Sequence, residues 1–179
     1  MATHSRQRYS LNKTKYLLEP ELQNLEATLK RFSDEDARNV LLLELALKTG
    51  GRAQEILNLL KSDINAYDET ILIRGLKGSS DREIPLQRQL FERLLKFASS
   101  APGEKVFNIS YNRFREIWTL YRPAPKKLHC LRHTFAIRLF KKTKDIRLVQ
   151  MALGHRNITN TMVYADYVYS QSELRKLIL

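Results

Sequence analysis

Residues 126–139 read KKLHCLRHTFAIRL, and this stretch decides the character of the chain because cationic side chains alternate in it with apolar ones. His129 and Arg132 stand three positions apart, which puts them on one side of a predicted helix start. An arginine presents a planar fork of donors that matches two phosphate oxygens, and a histidine can donate to a third oxygen or move a proton. The pair therefore suits a phosphate group, although a surface pair or a helix cap has the same spacing.

Toward the C-terminus, residues 149–164 read VQMALGHRNITNTMVY and place a histidine and a tyrosine after a predicted helix end. Gly154 stands where a helix that ends near Leu153 needs a left-handed residue, so His155 follows on a defined turn. Tyr164 comes nine residues after His155. A histidine at a helix end commonly contacts exposed carbonyls, and a tyrosine is commonly a hydrogen-bonded core residue. A phenol can also accept a phosphoryl group covalently.

The rest of the chain predicts further helices and one small sheet. Periodicity and capping residues predict helices over Glu19 to about Phe32, from Ser33 to Gly50-Gly51, over Ala53–Leu60, near 87–99, 110–121, 131–142 and 145–153, and shorter ones after 159 and 171. Extended segments over Thr70–Arg74 and Arg82–Leu86 flank a turn at 75–80 and predict an antiparallel pair. We expect a mainly α fold with a small antiparallel β-sheet (α+β). One domain is expected over 16–179, after a basic N-terminal arm at 1–15 whose composition is typical of a flexible linker.

The charge of the chain points to a polyanionic partner. Its 179 residues contain 31 Lys+Arg and 19 Asp+Glu, for a formal net charge of +12. Residues 111–150 carry 11 basic and 2 acidic side chains, for +9, whereas residues 1–50 carry 8 basic and 7 acidic, for +1. Such a regional excess favours nucleic acid. A solvated surface is the alternative, and an anionic membrane fits less well because the basic residues alternate with core-type residues.

The sequence argues against a membrane span, a secreted disulfide scaffold and a metal site. The longest apolar run, Val40–Leu47, is short and contains Glu44, and the first ten residues have no signal-peptide character. The single cysteine, Cys130, has no disulfide or CxxC partner. We find no H-E-x-x-H, carboxylate cluster or Cys/His ligand set. A cytoplasmic protein without cofactors or metals is therefore expected.

Four motifs, in order and approximate spacing, resemble the catalytic domain of tyrosine site-specific recombinases, the phage integrase family. They are TGGRAQEILNL (49–59), IRGLKGSSDREIPL (73–86), LHCLRHTF (128–135) and LGHRNITNTMVY (153–164). The resemblance covers nearly the whole chain. It implies six catalytic residues and two supporting ones: Arg52, Lys77, His129, Arg132, His155 and the nucleophile Tyr164, supported by Glu55 and His133.

The resemblance also implies a reaction and its partners. Tyr164 would attack a phosphodiester of double-stranded DNA to form a 3′-phosphotyrosine, and Lys77 would protonate the leaving oxygen. His129 would act as the acid/base partner for the proton of the Tyr164 hydroxyl. Dimers or tetramers would assemble on DNA, at the nucleoid. The C-terminal tail 171–179, with Leu174, Leu177 and Ile178 at helical spacing, would dock on a neighbouring protomer or pack on its own domain.

Two departures and two alternatives remain open. Relatives usually carry an N-terminal helical domain that clamps DNA, so this chain is expected to be either a catalytic fragment or a short stand-alone recombinase. The lysine turn reads GLKG where GKG is commoner. A type IB topoisomerase has similar residues but relaxes supercoils. A basic DNA-binding regulator would need no catalytic residues.

Overall fold

The computed structural model describes residues 11–76, 78–168 and 178. Within them the chain forms these helices: α1 (Glu19–Arg31), α2 (Ala37–Thr49), α3 (Ala53–Leu57), α4 (Arg88–Ser100), α5 (Tyr111–Tyr121), α6 (Cys130–Thr143), α7 (Ile146–Leu153) and α8 (Thr159–Val168). The strands are β1 (Ile64–Asn65), β2 (Thr70–Ile73) and β3 (Arg82–Pro85). They form an antiparallel sheet in the order β1-β2-β3, with Ile71 opposite Ile84. The predicted mainly α fold with one small antiparallel sheet is confirmed.

Helix α2 forms the centre of the main core because its apolar residues bury most of its surface. Every residue from Val40 to Leu47 except Glu44 is buried. Helix α1 packs against this core through one face, and Leu22, Leu25 and Leu29 on that face are each 1% exposed. That face is the one the leucine spacing predicts.

The structure differs from the predicted elements in two places. Helix α2 begins at Ala37 rather than after Ser33, because the backbone of Asp36, at φ −129° and ψ 49°, is not helical. The Asp36 carboxylate accepts hydrogen bonds from Asn39 and from the Tyr121 hydroxyl instead of capping the helix. Helix α3 ends at Leu57 rather than near residue 60, and a 3₁₀ turn at Lys61–Asp63 leads into the unpredicted strand β1. A strand of two residues is too short to show an alternating pattern.

A second apolar cluster joins α6, α7 and α8 with the segment that precedes α1. Its buried members are Leu11, Tyr16, Ala136, Ile137, Phe140, Val149, Leu153 and Tyr164. The Leu17 amide donates to the Thr134 hydroxyl at 2.8 Å, and the Lys126 ammonium donates to the Tyr16 carbonyl at 2.7 Å. These contacts fix the segment that precedes α1 against α6, the helix that carries His133, and against the segment that leads into α6.

Two predicted features lie largely outside the described residues. They are positions 1–10 of the basic arm and all of the tail 171–179 except Ile178. No helix in the part that the structure describes has both the length and the apolar character that crossing a membrane requires.

Candidate active site

The ends of four helices surround a cleft of about 600 Å³. Seven of the eight predicted site residues are described, and six of these line the cleft: Arg52, His129, Arg132, His133, His155 and Tyr164. The seventh, Glu55, lies buried beneath it and contacts Arg52. The structure therefore brings together groups that are more than 100 residues apart in the chain.

The turn at Gly50 sets Arg52 at the edge of the cleft. Gly50 has φ of 64°, and a Cβ on it would lie 2.3 Å from the Phe135 ring, so this position needs glycine both for its left-handed backbone and for its close approach to α6. The Arg52 backbone N–H donates to Glu55 Oε2 at 2.9 Å, and its guanidinium donates to Glu55 Oε1 at 2.9 Å. Glu55 thus caps α3 and orients the arginine with the same carboxylate.

Arg132 lines the cleft and joins the ends of two helices, α2 and α7. Arg132 is 2% exposed, and its guanidinium donates to the Gly50 carbonyl at 2.7 Å and to the Leu153 carbonyl at 2.9 Å. Burial and the nearby Arg52 charge lower the pKa of Arg132 to about 9. The guanidinium is therefore still cationic at neutral pH, and its two carbonyl contacts fix its position.

The end of α7 presents His155. Gly154 takes the left-handed conformation at φ 69°, as the sequence predicts, and the chain turns there into His155. The ring Nδ1 of His155 lies 2.9 Å from the Thr161 hydroxyl, and Gln150 donates to the His155 carbonyl at 2.9 Å. Both the backbone and the ring of His155 are therefore held.

The Tyr164 phenol lies inside the cleft against His133. Tyr164 is 2% exposed, and its hydroxyl oxygen lies 2.9 Å from His133 Nδ1. The His133 ring in turn meets the His129 ring edge to face, with centroids 4.7 Å apart and planes at 86°. His133, predicted as a supporting residue, is thus the hydrogen-bond partner of the candidate nucleophile in this structure.

The three cleft histidines are neutral at pH 7. Burial, reinforced by the charges of neighbouring arginines, lowers the pKa of His129 and of His155 to about 4. Burial, His129 and Arg132 lower the pKa of His133 to about 3. An anion that enters the cleft offsets the arginine charges and raises these pKa values, so the histidines gain basicity when a phosphate binds.

The fixed charges of the cleft leave an excess of positive charge. Burial alone would raise the pKa of Glu55, but hydrogen bonds from Arg82 and the Arg52 backbone, with the charges of Arg82 and Arg132, lower it to about 2. One carboxylate therefore faces three guanidinium groups at neutral pH. Such a site attracts a phosphate and can stabilise negative charge that develops on it.

The predicted site residue Lys77 lies outside the described residues. Its neighbours in the hairpin turn are described. Ser79 is buried, accepts a hydrogen bond from the Arg52 guanidinium and donates to the Gly154 carbonyl at 3.2 Å. The turn between β2 and β3 is therefore attached to both Arg52 and the His155 turn.

Two residues of this region, Ser79 and Arg82, are missing from the predicted site. Arg82 lies on β3, and the guanidinium donates to Glu55 at 2.7 Å and to the Ala152 carbonyl at 2.8 Å. A signal for Arg82 exists in the sequence, since it shares the inward face of β3 with Ile84 two positions later. A basic residue on the buried face of a strand needs a buried partner.

The described residues contain no group of three or more His, Cys, Asp or Glu side chains placed to hold a metal ion. Metal independence remains a prediction of the resemblance. The chemistry open to the described groups is charge stabilisation by arginine, proton transfer by histidine and nucleophilic attack by a phenol.

Comparison with known proteins agrees with this geometry. Residues 15–171 match the phage integrase family. The chain is 30% identical over 159 residues to tyrosine recombinase XerA of Thermococcus kodakarensis, an alignment that covers 79% of this chain and 56% of that protein. The chain spans about half the length of the curated relatives it matches.

Solved structures show the same fold. The catalytic domain of bacteriophage HP1 integrase is 26% identical, with a TM-score of 0.65 over 88% of this chain and 90% of that domain. The XerH site-specific recombinase, in a post-cleavage complex with a palindromic difH substrate, is 26% identical. Its TM-score is 0.74 over 92% of this chain and 53% of XerH.

Proposed function

The chain belongs to the phage integrase family, and we propose that it carries the catalytic domain, residues 16–179, of a tyrosine recombinase that cleaves and rejoins double-stranded DNA. One observation carries the proposal. A buried phenol, two arginines and three histidines, contributed by α3, α6, α7, α8 and the turns beside them, line one cleft. A phosphate bound there would meet a nucleophile, cationic groups and proton acceptors together.

In the proposed reaction the Tyr164 oxygen attacks a DNA phosphorus. A bond forms between phosphorus and the phenol oxygen, the bond to the 5′ oxygen breaks, and a 3′-phosphotyrosine results. Because one phosphodiester replaces another, no ATP is needed, and attack by the free 5′ hydroxyl reverses the step. Arg52, Arg132 and His155 would stabilise the charge on the non-bridging oxygens of the transition state.

Two proton transfers accompany this exchange. The phenol proton passes to a histidine; the resemblance assigns this role to His129, and His133 is the ring that lies 2.9 Å from the hydroxyl. The leaving 5′ oxygen takes a proton from a general acid, which we propose to be Lys77 on the resemblance alone. The substrate would place the enzyme in the cytoplasm, on the nucleoid.

Incubating the protein with supercoiled DNA and then denaturing the mixture distinguishes the candidate functions. A recombinase leaves a covalent protein–DNA adduct that depends on the DNA site. A type IB topoisomerase relaxes the DNA without such dependence, and a regulator binds without breaking a strand. Site-dependent adduct is the expected result, whereas binding without strand cleavage at every tested site would overturn the proposal.

DNA affinity is expected to fall steeply with salt. Each phosphate that a cationic side chain neutralises contributes about −0.9 to the slope of log affinity against log salt. The formal net charge of +12 and the cationic cleft predict several such contacts. Fluorescence anisotropy over a salt series measures the slope, and a flat response would contradict a phosphate-dominated interface.

Deletion of residues 171–179 is expected to reduce cooperative assembly on DNA and to slow cleavage. The apolar stripe of Leu174, Leu177 and Ile178 must pack against an apolar surface, and we propose that a second protomer supplies this surface. Mobility-shift titration and single-turnover cleavage measure the two effects. If the tail instead packs on its own domain, its deletion would lower the melting temperature of the free protein. Unchanged assembly and cleavage after the deletion would exclude docking between protomers.

A further inference from the structure

Arg82 is a buried cation that pairs with Glu55, and the proposed reaction does not use it. Its side chain is 5% exposed. Its Nη2 donates to Glu55 at 2.7 Å, and its Nε donates to the carbonyl of Ala152, near the end of α7, at 2.8 Å. A buried arginine with these partners links β3 to α3 and to the helix that precedes His155.

Three arginine guanidinium groups surround the Glu55 carboxylate at different distances. Oε2 accepts from Arg82 at 2.7 Å and from the Arg52 backbone at 2.9 Å, and Oε1 accepts from the Arg52 guanidinium at 2.9 Å. Arg132 Nη1 lies 3.9 Å from Oε2, beyond hydrogen-bond distance. Arg82 thus occupies the oxygen that Arg132 would otherwise approach.

These distances decide which arginine charges remain available in the cleft. Arg52 and Arg132 line the cleft, whereas Arg82 faces Glu55 from below. With Arg82 removed, the buried carboxylate has Arg52 and Arg132 as its neighbouring guanidinium groups. Arg52 already donates to Glu55, so Arg132 would then share its charge with the carboxylate as well instead of with a bound phosphate.

We propose that Arg82 is a positioning residue: it neutralises Glu55, so that the charges of Arg52 and Arg132 act on the scissile phosphate, and it fixes the α7 end that presents His155. This inference rests on the proposed strand-cleavage function. Gly154 gives it a second support. A Cβ at Gly154 would lie 3.0 Å from Arg82 Nη1 and 2.6 Å from the Ser80 carbonyl, so the His155 turn packs tightly over the Arg82 guanidinium.

The role predicts a distinctive pH dependence. Arg52, Arg82 and Arg132 face the Glu55 carboxylate, with the neutral rings of His129 and His155 nearby. With Arg82 in place, the pKa of Glu55 is about 2 and the group stays ionised at every working pH. Without Arg82, burial raises the pKa of Glu55, so the carboxyl group is neutral at low pH and competes for the arginines only as the pH rises.

The test compares Arg82→Met with the double variant Glu55→Gln/Arg82→Met in single-turnover adduct formation. Arg82→Met should cleave about 10- to 100-fold more slowly than wild type at pH 8, the scale measured when a group that orients a metal ligand is lost. DNA affinity should change little. The double variant should cleave faster than Arg82→Met at pH 8, and the two rates should converge as the pH falls.

Controls and opposing outcomes separate this inference from the proposed function. Arg74→Met removes an arginine that follows β2 and pairs with buried Asp63 at 2.7 Å, and its pH profile should keep the wild-type shape. If wild type forms no adduct, the proposed function fails. If wild type forms adduct but the ratio of the two variants does not change with pH, Arg82 does not act through Glu55.

The double variant keeps the test valid if Arg82→Met fails to fold, because the double variant buries neither of the two charges. Removing one member of a buried ion pair strongly destabilises a protein, because the partner's charge is left buried and unpaired. If Arg82→Met does not fold, the folded double variant decides the question, since its rate should lie within about tenfold of wild type. A folded double variant that loses adduct formation by about a hundredfold or more overturns the neutralising role.

Discussion

Replacing Tyr164 with phenylalanine is expected to abolish the covalent protein–DNA adduct. The change removes the attacking oxygen and keeps the ring, which is 2% exposed within the α6–α8 cluster. The lost hydrogen bond to His133 lowers stability by about 0.5–1.5 kcal/mol, so the fold and DNA binding should survive. Denaturing electrophoresis of a single-turnover reaction on labelled DNA measures the adduct.

Matched tyrosines in the same region supply the controls. Tyr167→Phe and Tyr169→Phe remove phenol oxygens three and five positions further along and should leave adduct formation intact. Tyr169 and the Tyr167 side chain lie outside the described structure, so the assignment rests on Tyr164 being the phenol in the cleft. Adduct that persists in Tyr164→Phe and disappears in Tyr167→Phe would reverse the assignment.

Replacing Arg132 with alanine is expected to slow cleavage by about a hundredfold or more, the effect of losing one preorganised donor to a transition-state oxyanion. The guanidinium lines the cleft and is fixed by the Gly50 and Leu153 carbonyls. Its removal takes a buried cation away from the phosphate site and leaves two carbonyls without that donor. Single-turnover cleavage at saturating DNA measures the chemical step apart from binding.

Arg132→Ala also removes structural contacts, so its interpretation needs a stability measurement. Each buried carbonyl that the variant leaves unsatisfied destabilises it by about 1–3 kcal/mol. Arg138→Ala is the matched control, because Arg138 lies on the same helix, half exposed, and pairs with Glu26 at 3.3 Å outside the cleft. A folded Arg132→Ala protein that cleaves at the Arg138→Ala rate would remove Arg132 from the mechanism.

The burial of Tyr164 constrains how DNA is cleaved. A phenol on a residue that is 2% exposed reaches a phosphodiester only if the phosphate enters the cleft or if α8 moves outward. The hydrogen bond to His133 holds the phenol in the described arrangement. DNA binding must therefore bring the phosphate to the phenol before attack can occur.

Much of the fold and the cleft could be predicted because local rules determine them. The leucine spacing of α1 predicts its buried face, and glycines at 50 and 154 predict the turns that present Arg52 and His155. The three-residue spacing of His129 and Arg132 predicts their common side of α6. These features depend on short stretches of chain, which a single sequence displays directly.

The remaining features depend on contacts between distant segments. Arg82 meets Glu55 across 27 positions, and His133 meets Tyr164 across 31. No periodicity in either segment specifies the partner. Asp36 also looks like a residue of a helix start, yet its carboxylate contacts Tyr121, 85 positions away, and α2 begins one residue later.

The most direct test of the account is to trap the adduct on a nicked suicide substrate and to map the modified peptide. Loss of the short fragment that carries the 5′ hydroxyl prevents rejoining, so the covalent species accumulates without any change to the protein. Candidate sites are drawn from the DNA that surrounds the coding sequence, and mass spectrometry after proteolysis identifies the residue. The account predicts a 3′-phosphoryl link to Tyr164, whereas a link to Tyr167 or Tyr169, or a cleaved strand with no protein attached, would contradict it.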